Sequence, residues 1–384
     1  MASQGSVMKK LVVGGRNRIT LLTFNGTGFI ITGHYEQQDL LPSPILFKEP
    51  NLLYVNNEEI EHIDVFRLGP DFSAANNSNA QSSARADAST VSDSLTKLFF
   101  DKPTIVYSVK GLKDGFGFEF NADKTRIVQT TWPSGEYNNR SSVIDVWDSS
   151  AADGSMRLLK RISNVQRHEA DQPILDPTGR FFVLSSRHDT RILILDTNDD
   201  RYEVTSVIDL YDFEKIHFAF LTSDETTYLV VVLERTREVF VFEVQYDDDK
   251  IHLRRAQKQG PYGVFPPAAA ACAVKVANNQ RDVYVAMKAD DRTDCIVHFT
   301  FRKEGGVAHL DYAGTTPSGS KPVNIHLSAD AEQRFLYVHS WERDSGLVAL
   351  RRDPETGALD PTPAAMMTNS EIPGAEIISC IVEI

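Results

Sequence analysis

The sequence predicts an all-β fold, a seven-bladed β-propeller with four-stranded blades, closed by a blade shared between the N- and C-termini. Three observations predict it. One apolar unit recurs in six complete copies, half-units of the same kind stand at the two chain ends, and helical periodicity is nearly absent. Repetition of this kind marks a radial or stacked architecture, because no single unit can bury its own apolar faces.

Each unit reads as a short apolar strand, a turn with Asp, Asn or Gly, a strand ending in a Tyr-Val-like pair, a polar loop, and an alternating strand. The copies lie at 43–68 (PILFKEPNLLYVNNEEIEHIDVF), 116–148 (FGFEFNADKTRIVQTTW, then SSVIDVWD), 173–196, 217–244, 272–301 and 324–350. Outer strands follow at 29–34, 104–108, 156–163, 202–209, 252–258 and 307–313, which gives four strands to a blade. The seventh unit is split: IISCIVE at 377–383 supplies its first strand, and 10–14 with 19–24 supply the second and third. Joining the ends in this way covers strand edges that would otherwise stay open. Apolar residues alternate or cluster in short β-branched runs, and DPTG at 176–179 and DPETG at 353–357 are turn sequences in which Pro presets φ and Gly accepts a positive one. The Ser/Asn/Ala-rich stretch within 69–96 reads as a mobile insertion loop in one propeller domain spanning 1–384.

Composition narrows the function. Of the 384 residues 41% are hydrophobic, enough for a real core, and no apolar run approaches the twenty residues of a membrane span. The polar start, 1–10, has no signal-peptide core, so a cytoplasmic protein is expected, with no membrane partner. A net charge of −13 without a basic stripe argues against nucleic acid. Cys272, Cys295 and Cys380 show no metal-ligand spacing and read as buried small hydrophobes, so neither a metal nor another cofactor is expected. The expected state is a monomer or weak homodimer acting on a small molecule in the central channel.

In a propeller the loop after each second strand and the loop entering each first strand open on one face around the channel. That register selects the candidates. Glu234, His217 and Lys288 are the expected catalytic residues, and Arg187, His188, Asp171, Trp132, Trp341, His326 and Arg16 the expected substrate-binding ones. Cations, carboxylates, imidazoles and tryptophans together suit an organic anion. Structural roles compete: Glu234 can pair with Arg235 or Arg237 at the surface, His217 and His326 with core groups, and the tryptophans can cap the core.

The units LDPTGRFFVLSSRHDTRILILD and FLYVHSWERDSGLVALRRDPETGAL, with the split blade, resemble the lactonase seven-bladed propeller family over nearly the whole chain. That family includes bacterial 6-phosphogluconolactonases and fungal 3-carboxy-cis,cis-muconate cyclases. The resemblance implies a cyclase site of His, Arg, Glu and Arg, and the matching positions hold Asp171, Ile216, Glu234 and Lys288. The expectation is a metal-free cyclase or isomerase acting on a small unsaturated organic acid, muconate-cyclase-like with a diverged site that favours specialised metabolism. Two alternatives stand beside it: a lactone hydrolase of the 6-phosphogluconolactonase type, and a non-catalytic propeller that binds a ligand or protein on its top face.

Overall fold

A computed structural model of the chain describes residues 8–69, 103–112, 115–131, 142–165, 170–186, 191–210, 215–259, 265, 269–289, 294–319, 321–340, 346–372 and 378–384. Three strands open the chain, β1 (Lys9–Gly15), β2 (Arg18–Phe24) and β3 (Phe29–Glu36). The first blade is β4 (Pro42–Lys48), β5 (Leu52–Asn57), β6 (His62–Arg67) and β7 (Thr104–Lys110). The second is β8 (Gly115–Phe120), β9 (Arg126–Thr131), β10 (Ser142–Asp148) and β11 (Arg157–Val165). The third is β12 (Ala170–Leu175), β13 (Phe181–Ser186), β14 (Arg191–Asp196) and β15 (Glu203–Asp209). The fourth is β16 (Ile216–Ser223), β17 (Thr226–Leu233), β18 (Val239–Asp247) and β19 (Lys250–Gln259). The fifth is β20 (Ala270–Val276), β21 (Asp282–Lys288), β22 (Cys295–Glu304) and β23 (Val307–Pro317). The sixth is β24 (Asn324–Leu327), β25 (Phe335–His339), β26 (Gly346–Arg351) and β27 (Ala365–Thr368). Last comes β28 (Ile378–Glu383), which pairs antiparallel with β1 and completes a closing blade in the order β28-β1-β2-β3. The seven-bladed ring and its split blade are as the repeats predict.

One strand was not foreseen. The sixth blade's outer strand, β27, is only AMMT, with Met366 54% exposed, so it offers neither length nor alternation to a reader of sequence. The expected insertion within 69–96 falls almost wholly outside the described residues.

Burial is layered from the axis outward. Middle strands such as β2, β5 and β17 are apolar and buried along almost their whole length, because both faces of a blade pack against neighbouring blades. Clusters between the fourth and fifth blades (Val230, Val241, Val283, Val285, Phe299) and between the sixth and closing blades (Leu11, Phe24, Tyr337, Leu347) show this packing. Outer strands such as β7 and β15 alternate with solvent. In the DPTG turn the Asp176 carboxylate accepts the amides of Arg180 (3.0 Å) and Phe181 (2.7 Å), and Gly179 takes a φ of +76°, which favours glycine. Among the described residues no helix is long and apolar enough to cross a membrane.

Polar staples join the blades. Lys9 of the closing blade reaches Asp330 at 2.5 Å and Glu383 at 3.1 Å. Asn56 of the first blade donates to the Gly115 carbonyl at 2.7 Å and accepts from Gln129 at 2.7 Å in the second. Between the fifth and sixth blades, buried Asp282 pairs with Arg352 and meets His298 Nε2 at 3.3 Å, while Arg352 Nε donates to the Tyr284 hydroxyl at 2.7 Å.

Candidate functional site around the channel

All seven innermost strands run the same way, so they begin at one common end of the channel, here called the upper end. Five of them are irregular there. Register shifts fall at Pro42/Ile45, Gly115/Gly117, Ala170/Pro173 and Ala271/Ala273, and β28 pairs irregularly with Gly14 and Gly15. A bulge turns an extra residue out of the ladder and is a common device for aiming side chains at a site. The upper end therefore carries both the loops chosen from sequence and a set of re-aimed strand residues, Cys272 and Ser379 among them.

The structure brings the three expected catalytic residues to one seam, between the fourth and fifth blades. His217 is the second residue of β16 and Glu234 opens the turn after β17, and His217 Nε2 lies 3.9 Å from Glu234 Oε2. The turn is pinned by backbone: the Glu234 amide donates to the Lys215 carbonyl at 2.9 Å, and the Glu234 carbonyl accepts the Ala271 amide at 3.0 Å. The second bond crosses to the fifth blade, where Lys288 ends β21 opposite Ala270. Cys272, on the bulge of β20, lies where the charges of Lys288, Glu234, Lys215 and Asp294 are all felt. Its thiol donates to the Ala286 carbonyl at 3.3 Å, and burial pushes its pKa up to about 12, so it is a neutral donor. Of the three cysteines expected to be buried, Cys295 and Cys380 are, whereas Cys272, on the bulge, is partly exposed and packs against the apolar cluster of the fifth and sixth blades.

Other expected residues separate from this seam. Arg16 lines a small polar cavity of about 240 Å³ at the boundary of the closing and first blades, with Asn17, Gln38, Asp39, Leu40 and Glu59. Asp171 belongs to the irregular upper end of β12, but its side chain lies outside the described residues, as do Trp132, Arg187, His188 and Trp341. His326, expected among the residues at the upper face, is instead the third residue of β24 and sits lower, paired with Tyr337.

That lower position belongs to a ring that the sequence reading missed. Cross-strand partners set the level of each inner-strand residue: Leu46 opposite Tyr54, Glu119 opposite Val128, Ile174 opposite Val183, Ala219 opposite Val230. Lys275 opposite Tyr284, His326 opposite Tyr337 and Val382 opposite Val12 complete the turn. All seven are partly exposed, as side chains facing a narrow bore are. Four are apolar and three are ionisable. Glu119 and Lys275 stand on the second and fifth blades, and each feels the other's charge across the channel without an ion pair. Burial pushes the Glu119 carboxyl up to about 7, against its bond from the Phe120 amide and the pull of Lys275 and Lys124. Burial lowers Lys275, and burial with Lys275 and His339 nearby holds His326 well below its ordinary value. His339 stacks 6.0 Å from His326 and is pushed by burial down to about 4. The missed signal was the register: aligning each first strand by its partner in the Tyr-Val pair puts Glu119, Lys275 and His326 at one height.

Comparison with known proteins agrees with this architecture. The family model described as "Lactonase, 7-bladed beta-propeller" matches residues 216–373. No curated relative matches the sequence. Among solved structures, the periplasmic gluconolactonase PpgL of Pseudomonas aeruginosa is 16% identical with a TM-score of 0.70, over 98% of this chain and 99% of that one. A proposed 6-phosphogluconolactonase from Bacteroides fragilis is 14% identical with a TM-score of 0.69, over 100% of each chain. Dihydro-heme d1 dehydrogenase NirN, with a TM-score of 0.54 at 11% identity over 96% of this chain and 75% of that one, shares the fold with different chemistry. Likeness at these identities is likeness of fold.

Proposed function

With the lactonase seven-bladed propeller family supported by the match over 216–373 and by the fold, we propose that this chain is a lactone hydrolase acting on a small lactone at the upper end of the channel. The observation that carries the reading is the lactonase match itself, which covers the strands that hold His217, Glu234 and Lys288. It favours the hydrolase alternative over the muconate-cyclase-like reading drawn from the sequence.

The seam supplies the parts that ester hydrolysis needs. His217 takes a proton from water as the water oxygen adds to the lactone carbonyl, and Glu234, 3.9 Å away, stabilises the imidazolium. Lys288, which ends β21, stabilises the developing oxyanion. The ring C–O bond then breaks, and the leaving alkoxide takes the proton back from His217, giving a hydroxy acid. Lys288 acts as a point charge, because it lacks the planar fork of an arginine.

The test is a pH-stat assay of glucono-δ-lactone and a panel of related lactones, run beside cyclisation of a muconate-type acid. Hydrolysis above the spontaneous rate is expected, with kcat falling about 10²–10⁴-fold in His217→Ala and Glu234→Gln. Wild-type turnover in both variants, or cyclisation without hydrolysis, would reject the assignment.

A further inference from the structure

The mid-channel ring holds a cation that has no hydrogen-bond or ion-pair partner among the described residues. Lys275 makes no hydrogen bond or ion pair with any described residue. The four apolar members of its ring offer its ammonium nothing, and an ammonium taken out of water is costly unless a counter-charge meets it. Glu119 is the one acidic member of the ring, and it stands across the bore and accepts from the Phe120 amide instead. On the near side, His326 and His339 lie with their rings stacked, each kept neutral by burial and each with an N–H to donate.

We propose that this ring is a seat for a small monocarboxylate, whose oxygens meet the Lys275 ammonium and the His326 imidazole N–H, with buried His339 stacked behind it, while Glu119 acts as the internal competitor for the same cation. The charge count selects the ligand class. One ammonium balances one negative charge, so a dianion such as sulfate would carry surplus charge into an apolar bore beside Glu119. A monocarboxylate leaves none. The seat is built from strands rather than loops, and it lies below the His217–Glu234 seam, so it does not depend on the hydrolase reading. Where that reading holds, the acid released at the seam is a ligand of the right class.

Protonation of Glu119 should set the affinity. The groups facing it are Lys275, Lys124 and the Phe120 amide, those facing Lys275 include Glu119, His326 and His339, and His339 also meets the Ser379 backbone. Both histidines stay neutral across the range from pH 6 to 8, because burial lowers them; Glu119 is the member that changes charge there. As it ionises it neutralises Lys275 and expels the ligand.

Isothermal titration of the full chain with sodium gluconate, with sorbitol as the uncharged control and sulfate as the dianion, tests the proposal. Saturable gluconate binding at pH 6 that weakens toward pH 8 is expected. Lys275→Met should weaken it about tenfold or more, Glu119→Gln should remove the pH dependence by holding affinity at pH 8, and His217→Ala should leave it unchanged while abolishing hydrolysis. The proposal is overturned by any of three results: wild-type affinity in Lys275→Met, an unchanged pH profile in Glu119→Gln, or sulfate bound as tightly as gluconate. Glu119→Gln keeps the test open should the Lys275 variant fail to fold. Loss of gluconate binding in His217→Ala would place the ligand at the seam instead.

Discussion

Two polar clusters inside this propeller contain the same residue types and are built in opposite ways. At the seam of the fifth and sixth blades, Asp282 receives Arg352, Arg281, Asn279 and His298, and Arg352 in turn reaches Tyr284 and the Glu332 carbonyl. Burial alone would raise the Asp282 carboxyl, yet those hydrogen bonds outweigh it and hold it well below the usual carboxylate range. In the channel ring, Glu119 is raised by burial and Lys275 lowered, each without the other in contact. A satisfied network fastens two blades together. An unsatisfied pair of the same types, facing a bore, is arranged for something that arrives later.

The sharpest way to break this comparison is to remove one partner from each cluster and follow unfolding in urea. Arg352→Met leaves a buried carboxylate short of a buried charged partner and should cost about 3–5 kcal/mol. Lys275→Met removes a buried charge that has no ion-pair partner among the described residues, so its stability should stay within about 1 kcal/mol of wild type or rise. A large loss in Lys275→Met would mean that the lysine is a staple after all.

pH separates the clusters by sign. The folded Asp282 value is depressed, so its contribution is present above the unfolded carboxylate value near ~3.9 and is lost as pH falls through the lower folded value. Glu119 is raised, so its favourable contribution is present below about 4.3, its unfolded value, and is lost as pH rises toward about 7. Stability should therefore fall by about 1–3 kcal/mol between pH 4.5 and 7.5 on account of Glu119, and Glu119→Gln should flatten that slope. A slope that survives the substitution would assign it to other groups.

The two clusters also differ in how far sequence exposes them. The ring of blades was legible because six units and a split seventh repeat one pattern, and the loops that hold His217, Glu234 and Lys288 were legible because turns punctuate that pattern. Glu119 in FGFEF and Lys275 in CAVKV sit inside strands, where alternation alone makes them look like ordinary solvent-facing positions. What decides their role is that a first strand faces an enclosed axis, and only the cross-strand partner fixes its height. His326 shows the same error from the other side, since its place near the start of a short strand put it at the upper face until its pairing with Tyr337 lowered it. Arg16, expected among the substrate-binding residues, lines a separate polar cavity between the closing and first blades.

The smallest expected effect concerns the group nearest both regions, Cys272. Lys288 and Lys215 favour its thiolate, Glu234 and Asp294 disfavour it, and burial, the largest influence, pushes the thiol up to about 12. A thiol at that value is ionised at pH 8 about a thousandfold less often than a free cysteine near 8.5. Peptide-level mass spectrometry after brief iodoacetamide treatment should then find Cys272 almost unlabelled, although the bulge leaves it partly exposed. Fast labelling would show that the two lysines outweigh burial. The upper end would then hold a thiolate beside His217 and Glu234, and the attack on the lactone would pass from a water to sulfur while the ring below kept its role.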